Sequence, residues 1–179
     1  MIQTIRLGHL LRETVTTPYR NLVTRPTGAA VRNRIEHLLA CSDCHTAFLD
    51  FSDIELLDLS CADEIVAKLL LAEEPSARFF VLRGLREDQH EAIEHVLTHH
   101  GLVVAALGHG DPEPRLLGWA SSDARTAFAR ICDGGPMSTG ELARALGWSE
   151  PRAADAVGVL VAHRLVCPEG PLVHPLPIA

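Results

Sequence analysis

Apolar residues in the first two thirds of the chain form two kinds of pattern that alternate along it. Short apolar runs with the length of buried strands lie at residues 47–51, 78–82 and 102–107. Apolar residues spaced three or four positions apart, as on one face of a helix, lie at residues 30–39, 65–71 and 93–97. This alternation predicts an α/β unit in which helices cover a sheet with parallel crossovers.

The start of the chain shows a weaker strand pattern. Residues 2–15 contain strand-like stretches, and residues 22–25 can form a second short strand after a turn at Pro18. We expect these two strands to pair antiparallel. Thr27 is then a candidate N-cap for the first long helix, which should end near residues 41–43 because that segment favours a turn.

Residues 46–64 are predicted to lie at the centre of this unit. Their pattern indicates a buried strand, a turn and the start of a helix. Ser60 is a candidate N-cap, with Asp63 at the third helical position. Asp63 and Glu64 would place negative charge in the first turn, where the helix dipole favours it. Pro75 is expected to end this helix.

The last third of the chain has a different organisation. Residues 108–114 contain two Gly and two Pro, so residues 108–118 are interpreted as a linker. Three helices follow, opened by Ser122, by a Ser138–Glu141 capping box and by Ser149. A hairpin is predicted at residues 165–174. Three helices and a hairpin predict a winged helix-turn-helix domain at residues 119–179.

Charge is distributed unevenly along the chain. The net charge is −7, divided as +4 over residues 1–40, −10 over residues 41–118 and −1 over residues 119–179. The acidic middle would repel nucleic acid. No apolar segment is long enough to span a membrane, and the N-terminal residues lack the apolar block of a signal peptide. We therefore expect a cytoplasmic protein without a membrane partner.

Residues 22–107 resemble the STAS-like family, which is related to anti-sigma factor antagonists. Three segments of the sequence carry the resemblance: Leu22-Val-Thr-Arg25 with Gly28, then Phe48-Leu-Asp-Phe51, then Leu57-Asp-Leu-Ser-Cys-Ala-Asp-Glu64. The resemblance implies that residues 1–107 form a STAS-like α/β domain that binds a partner protein. It also implies that the contact is made by the loop before the helix, whose residues are Asp58, Leu59, Ser60, Cys61, Asp63 and Glu64.

In the best-known members of the family, a partner kinase phosphorylates a serine in this loop. Aligning Asp58 with the Asp of the family motif places Leu59 at the phosphorylated position and Ser60 at the next one. Ser60 remains a candidate phosphorylation site, because a phosphate at a helix N-terminus meets free N–H groups. The neighbouring carboxylates oppose it, so a plain N-cap role is favoured.

Residues 119–179 resemble the winged-helix domains of bacterial transcription regulators, through Met137-Ser-Thr-Gly-Glu-Leu-Ala143, Gly147 and Arg152. A DNA-reading helix usually presents several basic or amide side chains. The candidates here are Ser149, Arg152 and Arg164, and the segment contains no Lys. Protein contact or homodimerisation is therefore favoured slightly over DNA binding.

Sequence signals for metal ions, cofactors or catalysis are weak. Cys41, Cys44 and His45 lack the second ligand pair of a zinc site, and His95 and His99 are best interpreted as a solvated helix face. Four arginines near the first long helix could form an anion site, but a solvated basic face is favoured: Arg20, Arg25, Arg32 and Arg34. We predict no metal, no cofactor and no enzymatic activity.

The sequence as a whole therefore predicts a bacterial, non-enzymatic regulatory protein that acts in signalling or transcription control. Its STAS-like domain would bind a partner protein, and its winged helix would relay that state, with a homodimer as the expected assembly. The alternative is a DNA-binding transcription regulator that uses the STAS-like domain as a sensor or dimeriser.

Overall fold

A computed structural model describes residues 1–15, 20–72 and 78–177, and shows a mixed α/β fold. The strands are β1 (Ile2–Arg6), β2 (Asn21–Leu22), β3 (Thr46–Asp50), β4 (Leu56–Leu57), β5 (Phe79–Leu85), β6 (Val103–Gly108), β7 (Arg115–Gly118), β8 (Met137–Ser138), β9 (Val166–Glu169) and β10 (Leu172–Pro175). The helices are α1 (Leu7–Thr14), α2 (Arg25–Ala40), α3 (Leu59–Ala62), α4 (Lys68–Ala72), α5 (Glu87–His99), α6 (Ser122–Gly134), α7 (Thr139–Leu146) and α8 (Glu150–Ala162). A π-helical turn, Asp63–Ala67, joins α3 directly to α4.

The central sheet has five strands in the order β1-β3-β5-β6-β7. The first four strands are parallel, and β7 runs antiparallel to β6. The prediction of an α/β fold with a mostly parallel, helix-covered sheet is therefore confirmed. A separate parallel ladder of two residues per strand joins β2 to β4.

Alternate rows of side chains on this sheet belong to two different cores. One row crosses the sheet through Ile5, Leu49, Leu82 and Ala106, and it packs in the core that α1 to α5 complete. The next row crosses through Phe48, Val81, Ala105 and Leu116, and it packs against α6, α7, α8 and the β9–β10 hairpin. Both faces of the sheet are thus covered, as a parallel sheet requires.

The prediction of an antiparallel strand pair at the start of the chain is wrong. β1 pairs parallel with β3, and the residues after β1 form a helix instead of a longer strand. Leu7, Leu10 and Leu11 are the buried positions of α1, and their spacing is helical. Because α1 and α2 lie between β1 and β3, the chain can return for a parallel pairing. The turn predicted at Pro18 lies outside the described residues.

Several predicted element boundaries are corrected by one to three residues. Thr24, not the predicted Thr27, is the residue before α2, and its side chain does not cap the helix. Ser121, not Ser122, caps α6 by accepting a hydrogen bond from the Ala124 N–H. Pro75, predicted to end the helix that follows the π turn, lies outside the described residues.

The segment interpreted as a linker, residues 108–118, contributes a strand to the central sheet. β7 pairs with β6 from Arg115 to Gly118, and Leu116 is buried in the second core. The C-terminal residues therefore pack directly against one face of the sheet. Pattern alone missed β7 because it is short and follows two prolines.

The C-terminal elements are otherwise close to the prediction. Three helices precede the β9–β10 hairpin, and the Ser138–Glu141 capping box and the Ser149 cap are confirmed. β8 adds a third strand to the hairpin by pairing antiparallel with β10. Within the part of the chain that the structure describes, no helix has both the length and the apolar character needed to cross a membrane.

Candidate functional site

Asp58, and not the predicted Ser60, caps the helix that begins at Leu59. Asp58 Oδ1 accepts hydrogen bonds from the Cys61 N–H (2.7 Å) and the Ser60 hydroxyl (2.8 Å), and Oδ2 accepts one from the Thr24 N–H (2.8 Å). Burial alone would raise the pKa of Asp58, but these hydrogen bonds outweigh burial and hold the pKa below its ordinary value. The loop is therefore fixed by one carboxylate that joins two chain segments.

Thr24, which Asp58 binds through its N–H, has an unfavourable backbone conformation. Its φ is 71°, in the left-handed region that residues other than Gly seldom adopt. Besides the bond from its N–H to Asp58, its carbonyl accepts a hydrogen bond from the Cys61 thiol (3.1 Å). Such strain persists only where surrounding contacts fix the conformation, and it is concentrated at functional sites.

Glu64 is the buried centre of a charged cluster. Its side chain is 3% exposed, and Oε1 accepts hydrogen bonds from Arg25 Nη1 (2.7 Å) and Lys68 Nζ. Arg32 Nη1 lies 3.3 Å from Oε2. Burial alone would raise the pKa of Glu64, but the hydrogen bonds from Lys68 and Arg25 hold it below its ordinary value. The carboxylate therefore stays charged inside the protein.

Asp63 connects the same arginine to His100, the residue that follows α5. Arg25 Nη1 donates to Asp63 Oδ2 (2.8 Å), and His100 Nε2 lies 2.7 Å from Asp63 Oδ1. Burial alone would raise the pKa of Asp63, but its bonds to Arg25 and His100 lower it below the ordinary value. Both acids belong to the π-helical turn, a rare structure that is frequently found at functional sites.

The four arginines predicted as a solvated basic face each have an ion-pair partner, and Arg20, Arg25 and Arg34 also remain 44–63% exposed. Arg25 and Arg32 bind Glu64, Arg20 lies 3.5 Å from Glu55, and Arg34 lies 3.6 Å from Glu13. Arg25 and Arg32 are seven residues apart and therefore lie on one face of α2. The helical spacing alone could have shown that these two arginines share a face, but it could not have identified Glu64 as their partner.

Two residues of the predicted contact loop cannot meet a partner directly. Cys61 is fully buried and Glu64 nearly so, whereas Leu59 is half-exposed. Burial and the nearby Asp58 raise the pKa of Cys61 to about 12, so its thiol stays protonated and unreactive.

Ser60 is partly buried, and its hydroxyl donates to Asp58. A phosphate on Ser60 would lose that bond and face two carboxylates.

A cavity of about 500 Å³ opens beside the exposed part of the loop. On the loop side, its lining includes Leu59, Ser60, Asp63 and Arg25. On the α5 side, its lining includes His95, His99 and His100. The cavity thus lies where the charged cluster reaches the surface.

Three apolar side chains of this region are exposed to solvent. Val23, Leu56 and Leu59 are 39–51% exposed. Leu56 lies in β4, which pairs with β2, and Val23 directly follows β2, so Val23 and Leu56 lie at the same two-stranded ladder. Leu59 also lines the cavity. We call Val23, Leu56, Leu59 and the cavity the docking surface.

The three candidate DNA-binding residues all have partners within the protein. The Ser149 hydroxyl caps α8 by accepting from the Arg152 N–H (3.4 Å). Arg152 forms two hydrogen bonds of 2.8 Å to Asp123, and its guanidinium lies 4.3 Å from the centre of the Trp148 ring. Arg164 Nη1 donates to the Arg78 carbonyl at the start of β5 (3.2 Å). These contacts hold the fold together and reduce what the residues can offer to DNA.

The acidic groups of the loop make the stability of the protein depend on pH. Because the pKa of Asp63 is lower in the folded state than its ordinary 3.8, its contribution is complete above pH 3.8 and is lost as the pH falls further. We expect Asp63→Asn to be clearly less stable than the wild type at pH 7, and the difference to shrink toward pH 3. Urea unfolding at several pH values measures this.

Asp155→Asn is the matched control for that series, since Asp155 is exposed on α8 and has no ion pair among the described residues. A difference between Asp63→Asn and wild type that is the same at pH 7 and pH 3 would contradict the proposed charge pairing of Asp63.

Within the described residues, no group of three or more His, Cys, Asp or Glu side chains is arranged to hold a metal ion. Comparisons of the chain with protein-family models, with curated proteins and with solved structures found no match.

Proposed function

We propose that the protein is a non-enzymatic regulator that binds a partner protein through the docking surface. In this proposal, residues 1–107 form a STAS-like domain and residues 119–179 a winged helix, as in bacterial signalling or transcription control in the cytoplasm. The observation that carries the proposal is the exposure of Val23, Leu56 and Leu59 beside a loop whose backbone is rigidly held. An exposed apolar group on a rigid frame is typical of a protein-binding site.

The charged cluster supports this function rather than catalysis. Asp58, Asp63 and Glu64 are fully engaged in hydrogen bonds or ion pairs that fix the loop, and the Cys61 thiol is kept protonated. Burial also raises the pKa of the Cys132 thiol, to about 11. The three carboxylates hold the loop in place, and the two protonated thiols are poorly suited to act as nucleophiles.

The position of the C-terminal helices supports a role in relaying the bound state. β3 leads into the loop that carries the docking surface, and its Phe48 side chain packs in the core shared with α6 and α8. A partner that shifts this loop would therefore act on a strand whose other face supports the winged helix. A homodimer through the exposed side of α8, which includes Val159, is part of the proposal.

DNA binding is the alternative function, and the geometry favours it less. Arg152 is held by Asp123 and Trp148, and Arg164 is held against β5. Retention of the protein on DNA at low ionic strength, lost as salt is added and weakened by Arg152→Ala, would favour this alternative.

Leu59→Arg tests the proposed function. The fold should be preserved, because substitution of an exposed side chain usually changes stability by at most about 0.5 kcal/mol. We expect the affinity for the partner to fall at least about tenfold, since a charge replaces an apolar contact of the docking surface. Quantitative co-purification from cells, together with thermal unfolding of the purified variant, measures both effects.

Leu71→Arg is the matched control, because Leu71 is 55% exposed but lies in α4, outside the docking surface. A partner that is lost with Leu59→Arg and retained with Leu71→Arg supports the proposal. Equal recovery of every partner with both variants would refute it.

A further inference from the structure

The cavity in the docking surface presents hydrogen-bond donors that the protein itself does not use. Arg25 donates to Asp63 and Glu64 through Nη1 alone, so its Nε and Nη2 have no partner among the described residues. His95 and His99 line the same cavity one helical turn apart, and neither has a hydrogen bond or an ion pair within the described part of the chain. Three side chains from two helices thus bring unused nitrogen atoms to one space, and those of Arg25 are N–H donors.

The carboxylate oxygens near the cavity are already engaged within the protein. Asp63 uses Oδ1 for His100 and Oδ2 for Arg25, and Asp58 uses both oxygens for the loop. Glu64 lies too deep to be reached from the cavity, at 3% exposure. A group that enters the cavity therefore meets the unused N–H groups of Arg25 beside carboxylate oxygens that are already engaged, which favours an oxyanion that accepts from the guanidinium.

The charges around the cavity favour a singly charged group over a doubly charged one. Arg25, Arg32 and Lys68 are matched by three carboxylates, Asp58, Asp63 and Glu64. A phosphate dianion would meet repulsion from those carboxylates without an excess of cations to offset it. A carboxylate needs less charge compensation and can use the planar fork of Arg25 Nε and Nη2.

We propose that the cavity receives the carboxylate of an Asp or Glu side chain from the docked partner protein, held by Arg25, His95 and His99. Apolar side chains that flank this acid in the partner cover Val23, Leu56 and Leu59. The inference rests on the proposed function and adds the chemistry of the segment that is recognised: an acidic residue between apolar ones.

Short peptides test the inference directly on the 179-residue chain. The probes are acetyl-Leu-Glu-Leu-Leu-amide, its Gln counterpart and its phosphoserine counterpart, titrated to about 10 mM and followed by NMR signals of the Leu methyls, the histidine rings and Arg25 Nε. We expect the Glu peptide to shift the Leu56 and Leu59 methyls together with His95, His99 and Arg25. The Gln peptide should shift the methyls alone, with at least about fivefold weaker affinity.

Variants of His95 and His99 test whether these two side chains make the protein prefer the Glu peptide over the Gln peptide. His95→Ala combined with His99→Ala should lower the affinity for the Glu peptide at least about threefold and leave the Gln peptide unchanged. His9→Ala combined with His37→Ala is the control, because both residues are exposed on other helices. Arg25 is left intact because it also binds Glu64.

Each remaining outcome has a definite meaning. Equal affinity for the Glu and Gln peptides would overturn the carboxylate site but leave the apolar docking surface standing. Tighter binding of the phosphoserine peptide would overturn the choice of a singly charged group. If none of the peptides shifts the Leu56 or Leu59 methyls, both this inference and the proposed docking function fail.

Discussion

Glu64→Gln is expected to lower the free energy of unfolding by about 3 kcal/mol at pH 7. The substitution keeps the size of the side chain and removes the charge that Arg25, Arg32 and Lys68 share. Breaking a buried ion pair on one side costs about 3–5 kcal/mol. We expect the lower end, because Arg25 is 52% and Lys68 39% exposed, so both can turn toward water.

Urea unfolding, followed by far-ultraviolet circular dichroism, measures this loss. Glu91→Gln is the matched control, since Glu91 is exposed on α5 and has no ion pair among the described residues. A loss below about 1 kcal/mol for Glu64→Gln would show that the cluster rearranges without cost and that Glu64 does not fix the loop.

Gly118→Ala is the second substitution with a large expected effect, a loss of about 3 kcal/mol. Gly118 has a φ of 104°, and a Cβ there would lie 2.2 Å from the Leu102 carbonyl oxygen and 2.8 Å from Leu97 Cβ. The Leu102 oxygen belongs to the backbone and accepts a hydrogen bond from the Trp119 N–H (2.8 Å), so it cannot move freely. The added methyl would push β7 away from β6.

Gly101→Ala separates this clash from backbone strain. Gly101 also has a positive φ, 65°, but no atom within 4 Å of a built Cβ. Its replacement should therefore cost only about 1 kcal/mol. Thermal unfolding of both variants measures the difference, and equal losses would show that β7 does not pack closely against the end of α5.

Helices, strands and helix caps could be predicted from the sequence where they depend on interactions between residues that are close together along the chain. The apolar run that became β3 and the helical spacing that became α5 reflect which side chains face a core. The Ser138–Glu141 capping box is a contact between residues three positions apart, so it depends little on the rest of the chain. The same holds for the Ser149 cap of α8.

Features that depend on distant partners were missed or misassigned. Asp58 caps its helix through the Cys61 N–H, three positions away, but its second oxygen accepts from the Thr24 N–H, 34 positions away, and this link leaves no local pattern. The sequence predicts Glu64 in the first turn of a helix and in the contact loop, whereas the fold buries it beside two arginines of α2. β7 was assigned to a linker because its pairing with β6 leaves no repeating pattern in so short a segment.

The sequence by itself determined which segments become helices and strands in most of the chain, and it pointed to residues 58–64 as the exposed loop to examine. Only the tertiary structure decided the role of each side chain in that loop: Asp58 and Glu64 hold it, Cys61 is buried beneath it, and Leu59 faces solvent. The reason is physical. Periodicity records which face of an element is buried, whereas a buried carboxylate is stable only beside cations that the fold brings from elsewhere in the chain.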